Sequence, residues 1–276
     1  MMSDRNRLGI HTMTVKPWSL QECCSAFASA KVPAITLWRQ AIEPVGVNDA
    51  RKMVEDAGLR VTSLCRGGFF PAKDIQGRQA AIDENKQIID EAAAVGAPAV
   101  VLVCGALPDQ SLEESRNQIQ DGIAAVLPHA KAAGVNLSIE PLHPIYAADR
   151  SAVTTMAQAR RMCEQLNDIG ETQVGIALDV YHVWFDEALE GEIIRSGKKG
   201  WLHAFHICDW KVEQSDPLQD RGLMGEGVID IKRIRSWMDE AEYQGDIEVE
   251  IFSTHHWARD QNDYLEEILQ AYDTCM

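Results

Sequence analysis

AKAAGVNLSIEPLHP (residues 130–144) ends a helical pattern at a glycine, runs through a short apolar stretch, and stops on a carboxylate, a proline and a histidine. Gly134 suits the left-handed position that terminates a helix, and the apolar run after it has the length of one buried strand. The same unit recurs as EDAGLRVTSL, AAVGAPAVVLV, DIGETQVGIALD, KKGWLHAFHI and EYQGDIEVEIF, with Gly58, Gly96, Gly170, Gly200 and Gly245 at the break. With Gly134 included, the spacings are 38, 38, 36, 30 and 45 residues, each enough for one strand and one crossover helix. RLGIHTMTV and VPAITLW near the N-terminus bring the apolar runs to eight. SLQE from Ser19 and SLEE from Ser111 read as capping boxes, Asn48 and Asp230 as N-caps, and Pro128 as a kink. Eight strand–helix units with no composition break predict an α/β fold, one (β/α)8 TIM barrel domain over residues 1–276. A doubly wound open sheet is the alternative, but no G-x-G-x-x-G follows the first strand.

The length of 276 residues suits a single barrel. No apolar run is long enough for a membrane span, and MMSDRNRLGIHTMTV lacks the apolar core of a signal peptide. Seven cysteines with no C-x-x-C pair suggest neither disulfides nor a zinc ribbon. These features predict a cytoplasmic protein. A net charge of −16, from 26 Lys and Arg against 42 Asp and Glu, repels polyanions, so nucleic acid and anionic membranes are set aside and small neutral substrates favoured.

Active sites of barrels collect at the C-terminal strand ends, where alternate residues face the axis. In NLSIE, Leu137 and Ile139 face the helices and Glu140 faces in; in VGIALD the inward residue is Asp179, in HAFHI it is His206, and in EVEIF they are Glu248 and Glu250. Any one strand-end acid is commonly just solvated, and a lone histidine is seldom a ligand. Four consecutive strands ending in an inward ligand type favour a shared ion instead. Glu140, Asp179, His206 and Glu250 are therefore predicted to hold one divalent cation, which keeps crowded carboxylates ionised. Oxygen-rich ligation with one imidazole favours Mn2+, with Mg2+, Co2+ and Zn2+ as alternative occupants.

The motifs SIEPLHP, GIALDVYHVW, AFHICDW, RGLMGEGVIDI and IEVEIF resemble the xylose-isomerase-like TIM-barrel superfamily, most closely its sugar phosphate isomerase/epimerase branch. The resemblance covers the second half of the chain; the first half shares the βα rhythm and LGIHTMT. It implies that Glu140, Asp179, His206 and Glu250 match the metal ligands, with Glu140 and Glu250 also the proton-transfer pair. It further implies that His182 and Arg221 contact substrate, and that Gly225 and Gly227 belong to the loop after strand seven. EPLHP, LDVYHVW and HICDW are also similar to the catalytic subunits of C-glycoside deglycosidases, which implies a catalytic role for His143. An imidazole suits general acid or base work, and a structural bridge to loop carbonyls is the alternative.

His11 and Trp38 are softer candidates for the pocket wall, as are Phe69, Trp184, Trp210 and Trp257. Arg39 and Arg66 follow strands two and three, placed either to clamp a phosphate or carboxylate or to form surface ion pairs; Asp209 could orient a ligand, and His255 and His256 suit a solvated loop. The expected activity is a metal-dependent isomerase or epimerase that removes a proton beside the carbonyl of a keto-sugar or derivative and passes through an enediolate. The alternative is a lyase or dehydratase that eliminates the aglycone from a 3-oxo-glycoside. A sugar-binding barrel without catalysis and an abasic-site endonuclease rank below both. A homo-oligomer and a partner subunit are each compatible with the chain.

Overall fold

The computed structural model describes residues 5–276 and closes eight parallel strands into a barrel in chain order. The strands are β1 (Leu8–His11), β2 (Ala34–Trp38), β3 (Arg60–Gly68), β4 (Ala99–Val103), β5 (Asn136–Glu140), β6 (Val174–Asp179), β7 (Leu202–Ile207) and β8 (Ile247–Val249). β1 pairs with both β2 and β8, so the sheet has no edge and the open doubly wound alternative is excluded. Among the described residues, no helix is long and apolar enough to cross a membrane.

The helix-to-strand breaks follow backbone chemistry. Gly134 takes φ 69° and ends the helix Leu112–Ala133, and Gly96 ends the helix Ile75–Val95 in the same way; Gly58, Gly170 and Gly200 also take positive φ, in the turns between helix and strand, whereas Gly245 does not. Before β8 the positive φ falls on Glu242 (59°), and before β2 on Lys31 (57°). Ser19 forms the full capping box with Glu22. Ser111 accepts from the Glu114 N–H at 3.1 Å, and Asp230 caps the helix Ile231–Glu240. Asn48 does not cap: Gly46 precedes the helix Val47–Asp56, and Asn48 lies in its first turn. Pro128 lies inside the helix Leu112–Ala133, which continues to Ala133.

Strand parity sorts the core into two compartments. Leu137, Ile139, Ile176, Leu178, Phe205 and Ile207 pack outward against the helices. Met13, Trp38, Cys65, Val101, Ala177 and Ala204 fill the barrel interior. Ala177 and Ala204 each stand two residues before a polar strand end, and these short side chains leave the space above them to Asp179 and His206.

Candidate metal centre

Glu140 and Asp179 are the last residues of β5 and β6, His206 is next to last in β7, and Glu250 follows β8 directly. Their parity turns all four inward, and one donor atom from each lies within 4.8 Å of the others. His206 Nδ1 stands 3.2 Å from Glu140 Oε1 and 3.8 Å from Glu250 Oε2. His11, at the end of β1, joins the same cluster with Nδ1 3.1 Å from Glu250 Oε1. All five residues are buried.

The donor set fits a divalent cation on the geometry of this chain. Glu140 Oε1 and both ring nitrogens of His206 are buried without a hydrogen-bond partner, and leaving a buried polar atom unsatisfied costs about 1–3 kcal/mol. Burial, with the charges of Glu250 and Glu140, raises Asp179 to about 8 against the pull of Arg221. Burial opposes protonation of His206, but Glu140, Glu248 and Glu250 together raise it to about 10. Glu250 is held well below the usual carboxylate range: burial works against this, and His11, Arg221 and His206 outweigh it. Carboxylates crowded this closely call for positive charge, and a cation among these oxygens and one imidazole supplies it.

Glu248 forms a floor under the cluster that sequence reading left without a role. Its Oε2 accepts the hydroxyls of Thr36 and Thr62, each at 2.7 Å, and lies 3.7 Å from Nε2 of both His11 and His206. A carboxylate there favours the proton on Nε2 of His206 and leaves Nδ1 facing Glu140 as a donor atom. Its inward parity was the one signal available, because the two threonines come from β2 and β3. Glu248→Gln should weaken divalent-ion binding by roughly ten- to a hundredfold, read by competition with a metal indicator. Affinity equal to the parent's would mean that packing alone orients the imidazoles.

The other candidates are arranged around this centre. Arg221 is buried, and its Nη1 lies 2.7 Å from Asp179 Oδ2 and 3.0 Å from Glu250 Oε2. Its Nη2 lies 3.2 Å from Nε2 of His182, and its guanidinium rests 4.4 Å from the Tyr181 ring centre. Burial and the Arg221 charge hold the His182 imidazole well below its ordinary value, which keeps it neutral with Nδ1 unpartnered. Trp38 faces the barrel interior and donates Nε1–H to His11 Nδ1 at 3.1 Å. His143 lies outside the cluster of donor atoms. Its Nδ1 accepts from the Ile145 N–H at 3.2 Å, and its ring stacks on Trp210 and meets the edge of Phe185, both at 4.8 Å.

Among the described residues the Asp209 carboxylate has no hydrogen bond to the cluster: it accepts from the backbone N–H groups of Trp210, Gly225 and Ile229 and so ties the loop after β7 together. Gly227 lets that loop close, because a Cβ there would collide with the Trp210 carbonyl oxygen. Arg39 pairs with Glu91 at 2.7 Å instead of facing the pocket. His256 is buried and stacked on Tyr264, not solvated. Trp257 donates to the carbonyls of Met13 and Thr14 and serves loop packing.

Fold and site together define a TIM-barrel protein with a cluster suited to metal at its C-terminal mouth. The chain belongs to the xylose isomerase-like TIM barrel family, which it matches over residues 7–273. It is 26% identical over 213 residues to an inosose isomerase of Halalkalibacterium halodurans, covering 75% of this chain and 70% of that one. Its backbone matches the crystal structure of protein SMc04130 from Sinorhizobium meliloti with a TM-score of 0.94 at 45% identity, over 99% of each chain. The IolI protein, solved with a bound zinc atom, shares the fold at a TM-score of 0.84 and 18% identity, over 98% of this chain and 99% of that one.

Proposed function

We propose that this protein is a divalent-metal-dependent isomerase or epimerase of a keto-sugar or closely related polyol. The observation that carries the reading is the meeting of Glu140 and Glu250, from β5 and beyond β8, in one buried cluster with Asp179 and His206. The likeness to the inosose isomerase of H. halodurans supports it. Glu140, Asp179, His206 and Glu250 would hold the ion, which when bound supplies positive charge to the substrate oxygens; Mn2+ is the favoured occupant and Zn2+ the nearest alternative.

The proton chemistry belongs to the chain. Glu250 is kept ionised by Arg221, whose Nη1 lies 3.0 Å from its Oε2, which makes it a carboxylate ready to accept the proton beside a carbonyl. Glu140 approaches from another strand with Oε1 unengaged by any hydrogen bond, placed to return a proton. Return to the same carbon from the opposite face inverts it and gives an epimer; delivery to the neighbouring carbon gives an isomer. Burial of the whole set excludes water, so the proton is exchanged between these groups and the substrate.

Elimination is the second reading, favoured by the aromatic wall of Trp210 and Phe185 around His143, which could receive an aglycone. Mn2+-loaded protein incubated in D2O with an inosose, ketohexoses, ketose phosphates, keto-sugar acids and a 3-oxo-glycoside decides between them. One deuterium on the carbon next to the carbonyl, with no other change of mass, is the expected result. Release of aglycone or water would assign the elimination, and failure to turn over any of the panel with the ion bound would refute the isomerase reading.

A further inference from the structure

Most arginines of this acid-rich chain lie against carboxylates, as Arg39 does on Glu91. Arg66 and Arg150 do not: among the described residues neither guanidinium has a hydrogen bond or an ion pair, although both residues are half-buried. Each is instead laid over an aromatic ring, Arg66 at 4.4 Å from the centre of Phe69 and Arg150 at 5.8 Å from the centre of Tyr146.

The backbone brings the two together. Arg66 lies near the mouth end of β3, and Phe69 follows that strand with its N–H bonded to the Val103 carbonyl of β4 at 2.8 Å. Gly105, after β4, has its N–H on the Arg150 carbonyl at 2.9 Å, and its α-carbon packs so closely on Phe69 that a Cβ would stand 2.8 Å from the Phe69 Cα. The loops after β3 and β5 are thus fastened to the same glycine. The Tyr146 ring under Arg150 meets His182 at 5.8 Å, and His182 Nε2 lies 3.5 Å from Asp179, so the pair borders the metal centre. Burial and the neighbouring Arg150 charge lower the pKa of Arg66, and Glu140 pulls the other way.

We propose that Arg66 and Arg150 form an anion subsite on the β3–β5 side of the mouth, which takes the phosphate or carboxylate group of a sugar that carries one. Two planar guanidiniums seated on rings, with their N–H donors uncommitted, match the oxygens of such a group and pair with it in the fork geometry that lysine lacks. The subsite rests on the isomerase or epimerase reading above and narrows its substrates to anionic sugars. It also revises the expectation of neutral substrates drawn from the net charge of −16, because that charge is screened beyond about 8 Å at physiological salt while the guanidiniums act at contact.

The test is equilibrium binding of inorganic phosphate and of malonate to the full chain by calorimetry, first with the metal chelated and then with Mn2+ added. The parent should bind at least one of the two, and the better ligand tells a sugar phosphate from a sugar acid. The Arg66→Gln/Arg150→Gln double variant should bind it at least tenfold more weakly in both conditions. Arg66→Lys in place of Arg66→Gln in the double variant should recover part of the loss, and Arg161→Gln/Lys199→Gln, which removes two charges from exposed sites, should bind as the parent does; melting curves confirm that each variant is folded. Binding to the double variant as tight as to the parent, or no binding of either anion by the parent, overturns the subsite. No turnover is measured, so loss of anion binding in the double variant supports the subsite even where every sugar fails as a substrate. Turnover of neutral ketoses with no arginine-dependent anion binding rejects it and leaves the isomerase reading in place.

Discussion

Arg221→Met should melt on the order of 10 °C below the parent, from a destabilisation of about 3–5 kcal/mol. Nη1 of Arg221 is the cation against both Asp179 and Glu250, and all three side chains are buried. Taking away one member of such a group leaves buried carboxylates without their guanidinium partner in a low-dielectric site, and that penalty exceeds the worth of the ion pair itself. The guanidinium also rests between the Tyr181 and Phe252 rings, so methionine keeps part of the packing and the loss reads mainly the charge. Added Mn2+ should restore part of the melting temperature, because an ion that binds only the folded state stabilises it by mass action. A melting point within about 2 °C of the parent, under a kcal/mol on the same scale, would mean that the two carboxylates have another source of compensation.

Exchange of either proton-transfer carboxylate should be felt mainly in turnover. Glu250→Gln and Glu140→Gln are each expected to lower kcat by about 10²- to 10⁴-fold at saturating Mn2+. Both residues also belong to the donor cluster, so the bound ion must be counted in the same samples by elemental analysis. A rate loss with the ion still bound assigns the proton step; a loss that follows ion content assigns only ligation. Either variant turning over within tenfold of the parent would remove that residue from the proposed chemistry. Asp179→Asn is the contrasting case, since the Asp179 oxygens engage Arg221 and the Tyr181 N–H, and its loss should appear first in ion affinity.

Much of this site was legible because a strand has a period of two residues. Once SIEPLHP is read as a strand end, the inward direction of Glu140 is decided, and the same parity carries Asp179, His206 and Glu250. The fold was legible for a related reason, since Gly58, Gly96, Gly134, Gly170 and Gly200 mark the passages into β3 to β7 by backbone sterics, whereas Lys31 and Glu242 take the positive φ before β2 and β8 without any such mark. Pairing across the chain had no such signature. Arg221 lies 42 residues from Asp179 and 29 from Glu250 along the chain, and nothing in DRGLMGEG says that it ends up between them. Glu248 had the right parity, but its threonine partners emerge only when β8 closes beside β1. His143 was read from its neighbours in sequence, which could not show that its Nδ1 is already occupied by the Ile145 N–H.

The loops after β7 and β8 are sewn to each other: the Arg221 N–H bonds to the Phe252 carbonyl and the Thr254 N–H to the Gln219 carbonyl, both at 2.9 Å, with an antiparallel bridge between Asp220 and Ser253. Across the barrel, Phe69 and Ile145 stand exposed on the rim. The seam between the last two loops runs through Arg221 itself, so the cation that faces Asp179 and Glu250 is anchored by its main chain as well as by its side chain.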